Sequence, residues 1–128
     1  MINKQLENDV LKRAVQRFRK TNLDRIETLS EHNALFELTS YSLKIKDFTL
    51  RLSYSKQLSN HHEICELSLN APDGYSTDYF NSLNQDYSPL LMETYFNLRR
   101  RFAEQAEQEE IKNIKENEKK LRWLKRVL

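Results

Sequence analysis

The stretch PLLMETYFNLRRRFAEQAEQEEIKNIKENEKKLRWLKRVL, residues 89–128, decides the fold of this chain. After its first residue it contains neither Gly nor Pro, and residues 99–125 are mostly Ala, Glu, Gln, Lys, Arg and Leu. These residue types lose little side-chain entropy in a helix. Ser88 can cap the helix, and Pro89 suits its first position, where a missing N–H costs nothing. The sequence therefore predicts one helix of forty residues, about 60 Å long at about 1.5 Å per residue.

Two groups of apolar residues follow one another along this predicted helix, in different phases. The first group keeps a 4-3-4 spacing and consists of Leu91, Tyr95, Leu98 and Phe102. Such a stripe predicts that the start of the helix packs on the rest of the chain. We therefore expect residues 1–102 to form an α+β body.

The second group begins after AEQAEQEE, residues 103–110, which has no large apolar side chain. It fits the a and d positions of a heptad repeat and consists of Ile114, Leu121, Leu124 and Leu128. We expect residues 103–128 to project from the body as a short coiled coil and to form a homodimer through these side chains. Two heptads are fewer than the three or four typical of coiled coils, so a lone amphipathic helix is the alternative.

Upstream, the sequence predicts an amphipathic helix over residues 3–20. Its apolar face consists of Ile2, Leu6, Val10, Leu11, Ala14, Val15 and Phe18. Its opposite face is basic and consists of Lys12, Arg13, Arg17 and Lys20. Leu23, Ile26 and Leu29 then predict a further short helical turn.

Between residues 35 and 69 the apolar period changes to two, which is typical of strands. Apolar residues occupy odd positions over residues 41–45 and even positions over residues 48–54, so Lys46 and Asp47 predict a tight turn or a bulge. A third strand follows near Cys65. The sequence therefore predicts a three-stranded antiparallel meander with one face covered by helices.

The segment after the third strand predicts a turn and a short helix. Pro72-Asp73-Gly74 has the residues that a β-turn requires, because Pro presets one dihedral angle and Gly accepts a positive φ. Residues 76–83 predict a short helix that Ser76 or Thr77 caps. The long helix begins a few residues later.

Composition limits the class of protein. The 128 residues suit one domain with a modest core, since 38% are hydrophobic and 31% are charged. The single cysteine, Cys65, cannot form an internal disulfide, which favours a reducing compartment. No apolar run approaches eighteen residues, and the start of the chain lacks the apolar region of a signal peptide. We expect a soluble, cytoplasmic protein without a membrane partner.

Charge is unevenly distributed along the chain. Residues 57–98 hold six acidic and no basic side chains, and basic segments flank them on both sides. The acidic stretch either neutralises the basic helices of its own fold or of a second subunit, or it docks on a basic protein surface. Aromatic anchors often dominate such interfaces. The predicted partner-binding residues are Tyr75, Asp78, Tyr79, Phe80, Asp86 and Tyr87.

No constellation of residues predicts catalysis. The one Gly lies in the predicted turn, so no Gly-rich loop can hold a phosphate. His61 and His62 lie near Cys65, but neighbouring residues on an extended chain point apart, and no second ligand cluster exists in the sequence. We interpret Cys65 as a small buried apolar residue and not as a nucleophile. We expect no catalytic residue, no cofactor, no metal and no small-molecule substrate.

Nucleic acid is an alternative partner. Arg99, Arg100 and Arg101 form a dense basic cluster, and such residues give salt-dependent binding to phosphates. Glutamates interspersed with the basic residues also fit a solvated helix face. The order helix, three strands, helix resembles that of double-stranded RNA-binding domains. The Gly- and Lys-rich start of that family's last helix is missing, however, because the sequence reads QDYSPLLMETYF there.

The sequence as a whole favours a non-enzymatic protein-interaction module, a small adaptor or inhibitor that occupies a partner's surface. Short proteins without motifs are frequent among phage and mobile-element products that block host defence or nucleic-acid-processing machinery, and this one fits that analogy. Direct binding of nucleic acid through the basic helices is the alternative function.

Overall fold

The computed structural model describes residues 3–72 and 76–128, with the backbone alone for Ser76, Thr77, Asp78, Tyr79 and Asn81. Helix α1 (Lys4–Lys20) and a 3-10 turn (Leu23–Arg25) come first. The strands that follow are β1 (Ile26–His32), β2 (Phe36–Ile45), β3 (Phe48–Gln57), β4 (Glu63–Asn70) and β5 (Ser76–Asn81). Helix α2 (Ser88–Val127) comes last. The α+β class and the long C-terminal helix are therefore confirmed.

The chain consists of two compact units. The first, which we call the body, is Met1–Leu98, and the second, which we call the helical unit, is Arg99–Leu128. Helix α2 contributes its first residues, 88–98, to the body and the remainder to the helical unit.

The predicted meander of three strands corresponds to β2, β3 and β4, but its strand count is too low. Within the described residues the sheet has five antiparallel strands in the order β1-β2-β3-β4-β5, because one strand is added at each edge. The register aligns apolar residues in rows across neighbouring strands, because residues directly opposite each other share a face. One row consists of Ile26, Leu43, Leu50 and Leu69. The next consists of Tyr41, Leu52, Leu67 and Phe80. Both rows lie on the face that holds the core.

The tight turn predicted at Lys46-Asp47 is confirmed. Ile45 pairs with Phe48, so only two residues connect β2 to β3. Lys46 has a φ of 51° there, a left-handed conformation that is uncommon for residues other than Gly. The change of parity in the apolar pattern marks this hairpin.

The short helical turn predicted from Leu23, Ile26 and Leu29 is wrong beyond Arg25. Residues Ile26–His32 form β1, an edge strand paired with β2. Only Ile26 is buried in β1, and the other residues are exposed. The strand therefore shows no apolar alternation, and the three-residue spacing of its apolar side chains resembles that of a helix.

The short helix predicted for residues 76–83 is also wrong, because Ser76–Asn81 form β5 against β4. Ser68 pairs with Tyr79 and Leu69 pairs with Thr77, so the register steps over Asp78. This irregularity interrupts the period of two by which a strand is recognised. The predicted turn at Pro72-Asp73-Gly74 falls on residues 73 and 74, which lie outside the described residues.

Helix α1 begins after Asn3, whose side-chain oxygen accepts a hydrogen bond of 3.1 Å from the N–H of Leu6. The buried face predicted for this helix is confirmed for Leu11, Ala14, Val15 and Phe18. Leu6 and Val10 are exposed instead. At about 100° per residue they lie roughly 90° or more from the centre of the buried stripe.

Residues 88–98 of α2 pack on the sheet as their apolar spacing predicts. Leu91, Tyr95 and Leu98 are buried. The Tyr95 ring stacks on Tyr54 with ring centres 4.3 Å apart, and it lies 5.7 Å from Tyr41. Offset ring pairs of this kind stabilise a core beyond the apolar area they bury.

Candidate functional site

The exposed face of α1 is basic, as its sequence predicts. Arg13, Arg17 and Lys20 are spaced four and three residues apart, which places them on one side of the helix. They are exposed because the opposite side, with Leu11 and Phe18, is buried in the core. Lys12 and Arg25, from the 3-10 turn, are exposed as well.

An open cleft of about 1000 Å³ lies beside these residues. Apolar side chains from the end of the sheet form its floor: Ile45, Phe48, Leu50 and Leu69. Five cationic residues line it as well: Lys12, Arg13, Arg17, Lys20 and Arg25. We call this the basic cleft. Val10 of α1 also lines it, which gives its exposed side chain an apolar neighbourhood.

The charged residues in the described lining of the basic cleft are all positive. None of the described residues that line it is acidic. Within residues 3–72 and 76–128, none of the five cations forms a salt bridge, whereas the neighbouring Arg19 binds Glu93 at 3.3 Å. Cations beside an apolar floor attract an anion more strongly than cations surrounded by water do. The charge of the described lining therefore favours a negatively charged group over a positively charged one.

Sequence reasoning found the basic face of α1 but not the cleft. The floor comes from the β2–β3 hairpin and from the end of β4, which are far from α1 in sequence. No local pattern could show that these segments meet.

The predicted acidic, aromatic surface is described only in part. Tyr75 lies outside the described residues, and so do the side chains of Asp78 and Tyr79. The Phe80 ring packs edge-on against Tyr87 with centres 5.1 Å apart, and both side chains are half-buried. Asp86 is exposed, and its N–H donates a hydrogen bond of 2.9 Å to the side chain of Asn84.

Tyr87 links the segment before α2 to α1. Its hydroxyl donates a hydrogen bond of 2.8 Å to the carboxylate of Glu7. That hydrogen bond raises the pKa of Tyr87, with smaller contributions from burial and from the negative charges of Glu7 and Asp86. Tyr87 therefore has a structural contact within the body, in addition to any contact with a partner.

The four residues predicted to form the dimer are exposed side chains of the helical unit. The exposed fraction is 52% for Ile114, 57% for Leu121, 41% for Leu124 and 98% for Leu128. All of residues 103–128 are exposed. Arg122 and Glu118 form an ion pair of 3.8 Å along the helix surface, where such pairs contribute a few tenths of a kcal/mol.

The arginine cluster is spread around α2. Arg99 and Arg100 are exposed and Arg101 is half-buried. Arg100 forms an ion pair of 3.9 Å with Glu104. Successive residues of a helix point about 100° apart, so the three arginines do not share one face.

Cys65 is buried in the core, as predicted. Its N–H donates a hydrogen bond of 2.8 Å to the Ser82 hydroxyl, and its Sγ lies 3.6 Å from the carbonyl oxygen of Leu91. Burial raises the pKa of the Cys65 thiol from 9.0 to about 12, and the charge of Glu66 adds to the rise. A protonated, enclosed thiol is a poor nucleophile.

Nowhere in the described part of the chain do three or more His, Cys, Asp or Glu side chains come together as a metal site would require. His61 and His62 are exposed on the loop between β3 and β4. Among the described helices, none is both long and apolar enough to cross a membrane.

Comparison with known proteins gave no relative. No protein family, no curated protein and no solved structure matches the chain. The sites above therefore stand on their geometry and chemistry.

Proposed function

We propose that the protein is a non-enzymatic interaction module, a small adaptor or inhibitor that pairs with a second copy of itself and occupies a partner's surface. The observation that supports this most is the exposed apolar side of α2 in the helical unit. The exposed large apolar residues along or beside the predicted heptad seam are Ile111, Ile114, Leu121, Leu124 and Leu128. Apolar surface that remains in water marks an interaction site.

A second copy of the chain is the occupant that the spacing fits. The helical unit contains one helix, so it has no other element of its own on which to bury these side chains. Ile114, Leu121, Leu124 and Leu128 follow the 3-4 alternation of a heptad seam, with Asn117 at the intervening d position. A polar residue in such a seam costs stability and selects the register of the pair.

Static light scattering tests the homodimer. We expect the wild type to have twice the 15.4 kDa mass of one chain. Leu121→Asp combined with Leu124→Asp should yield a monomer with the body still folded. Lys112→Asp combined with Lys119→Asp is the matched control, because it places two aspartates on the opposite side of the same helix. A wild type that is monomeric at about 50 µM would remove the proposal of self-association.

The partner-facing surface in this proposal is the acidic, aromatic segment, directed at a basic protein surface. The net negative charge of residues 57–98 and the exposed carboxylate of Asp86 support it. Replacing Tyr75, Asp78 and Tyr79 with alanine should abolish capture of the partner from a nuclease-treated lysate. Replacing Arg99, Arg100 and Arg101 with alanine should leave that capture unchanged.

The class of target follows by analogy. Small phage and mobile-element proteins without motifs often block host defence or nucleic-acid-processing machinery, and we propose a target of that class. A single free cysteine, buried in the core, fits a protein of the cytoplasm.

Direct nucleic-acid binding is the second candidate, and the five exposed cations of the basic cleft favour it. Phosphate contacts through these cations would make log affinity fall with log salt, at about 0.9 per duplex phosphate contacted. A gel-shift titration on duplex and single-stranded DNA and RNA tests this. Micromolar binding that disappears in Arg13→Ala with Arg17→Ala would establish it.

A further inference from the structure

We propose that the basic cleft is a docking groove for an acidic, amphipathic segment of a partner protein. The inference rests on the proposed function as a protein-interaction module and adds the chemistry of one partner segment. The described residues that line the cleft include none of those predicted for the acidic, aromatic segment and none of the helical unit.

The cationic lining defines the charge of the occupant. The cleft is lined by Lys12, Arg13, Arg17, Lys20 and Arg25, and the described residues of the lining include no Asp or Glu. Charges that are complementary across an interface steer association and exclude partners of like charge. A segment rich in Glu and Asp is therefore the complement of this lining.

The apolar floor of the cleft indicates that the bound segment also has apolar side chains. Ile45, Phe48 and Leu69 are half-buried, so each still exposes part of an apolar side chain to the cleft. Val10 adds a side chain that is 47% exposed. A purely acidic segment would leave this floor in water. A segment with apolar residues on one side and carboxylates on the other satisfies both surfaces.

Single-stranded nucleic acid fits the floor less well. Binding of single strands depends on aromatic side chains on which successive bases stack. Among the described residues of the lining, Phe48 alone is aromatic, and it is half-buried. The cations would attract a phosphate backbone, but one half-buried ring gives successive bases little surface on which to stack. The lining therefore favours a protein segment.

The length of the groove limits the size of the segment. The α1 residues that line the cleft lie between Val10 and Lys20, with Thr21 just beyond the helix. At about 1.5 Å per residue this part of α1 is about 15 Å long, so it matches roughly ten residues of a partner helix. Apolar residues spaced i, i+3, i+4 and i+7 would then face the floor.

Fluorescence anisotropy with labelled synthetic peptides tests the inference on the full chain. The first peptide is acidic, with leucines at i, i+3, i+4 and i+7 and glutamates elsewhere. The second has the same composition in shuffled order, and the third is all glutamate. We expect the first to bind at least about tenfold more tightly than the other two, because it alone fills the floor.

Matched variants locate the site. Arg13→Glu with Arg17→Glu should weaken binding of the first peptide by at least about tenfold. Lys112→Glu with Lys115→Glu changes the net charge equally but lies in the helical unit, so affinity should stay within about twofold. Phe48→Thr should reduce the preference for the first peptide over the shuffled one. If the double glutamate variant does not fold, Arg13→Gln with Arg17→Gln replaces it.

Four results would overturn the inference. They are equal binding of all three peptides, no binding at about 1 mM peptide, equal loss in both charge-reversal variants, and tighter binding of a single-stranded oligonucleotide than of the first peptide. Failure here is distinguishable from failure of the proposed function. A wild type that forms a dimer but binds no peptide would overturn only the proposed docking groove. A wild type that is monomeric but binds the first peptide would overturn only the proposed self-association.

Discussion

The body and the helical unit use the same helix, α2, in opposite ways. All fifteen buried apolar residues of the described chain lie in the body, including Leu91, Tyr95 and Leu98 from the start of α2. In the helical unit, residues 103–128 are exposed throughout. Tertiary packing therefore stabilises residues 88–98, whereas intrinsic helix propensity and short-range ion pairs stabilise the part beyond.

The two units differ in what covers their apolar residues. In the body, the buried apolar residues of α1 and of residues 88–98 of α2 lie against the sheet. An isolated helix in water has marginal stability unless its apolar face finds a partner. Substitutions in the two parts should therefore differ in size and in their dependence on protein concentration.

A matched leucine pair in α2 should give the largest difference. Leu91 is 0% exposed and Leu121 is 57% exposed. Leu91→Ala should lower the free energy of unfolding by about 2–5 kcal/mol, since it leaves a cavity in the core. Leu121→Ala should change the unfolding of dilute protein by less than about 0.5 kcal/mol. Urea denaturation followed by circular dichroism measures both.

The stability costs of Leu91→Ala and Leu121→Ala should also differ in their dependence on protein concentration. The cost of Leu91→Ala should be the same in dilute and concentrated samples. The cost of Leu121→Ala should grow with concentration, because mass action stabilises only a chain that still pairs. If both variants lost the same free energy of unfolding in dilute protein, the proposed difference between the body and the helical unit would be wrong.

The buried thiol predicts a dependence of body stability on pH. The pKa of Cys65 is raised from 9.0 to about 12 in the folded chain, so the folded state keeps a proton that the unfolded state releases. The raised pKa of this thiol stabilises the folded state fully below pH 9, and this stabilisation is lost as pH rises toward about 12. Over this range the thiol lowers the free energy of unfolding by at most about 1.4 kcal/mol per pH unit.

Denaturation of the wild type and of Cys65→Ala on both sides of pH 9 checks this. Other groups also titrate at high pH, so the informative quantity is the difference between the two proteins. Stability of the wild type should fall relative to the variant as pH rises. A constant difference would show that the thiol titrates as it does in the unfolded chain.

The Tyr87–Glu7 hydrogen bond should have the smallest effect. It connects the segment before α2 to α1, and it is partly buried. Tyr87→Phe and Glu7→Ala each remove this hydrogen bond, and each should lower the melting temperature less than Leu91→Ala does. The double variant should lose less than the sum of the two single losses, as coupled residues do. Additive losses would show that the hydrogen bond does not stabilise the body.

Much of this architecture could be predicted from periodicity. Helix α2, the buried face of α1 and strands β2 to β4 each repeat apolar residues often enough to be recognised. The hairpin turn at Lys46 followed from the change of parity between β2 and β3. In these elements the local pattern and the tertiary packing agree.

The two outer strands could not be predicted by the same reasoning. Strand β1 buries only Ile26, so it has no second core residue with which to show a period of two. Strand β5 loses its period where the register steps over Asp78. Both strands form because they complete the hydrogen bonding of β2 and β4, which is a tertiary effect. The basic cleft depends equally on segments that only folding brings together.

Hydrogen exchange at two protein concentrations tests most directly our proposal that the helical unit pairs with a second copy of the chain while the body folds independently of that pairing. We predict that backbone amides of residues 111–128 become more protected as concentration rises, and that amides of β3 and β4 do not change. Leu121→Asp with Leu124→Asp should remove the concentration dependence. Protection of residues 111–128 that is the same in dilute and concentrated wild type would contradict the account.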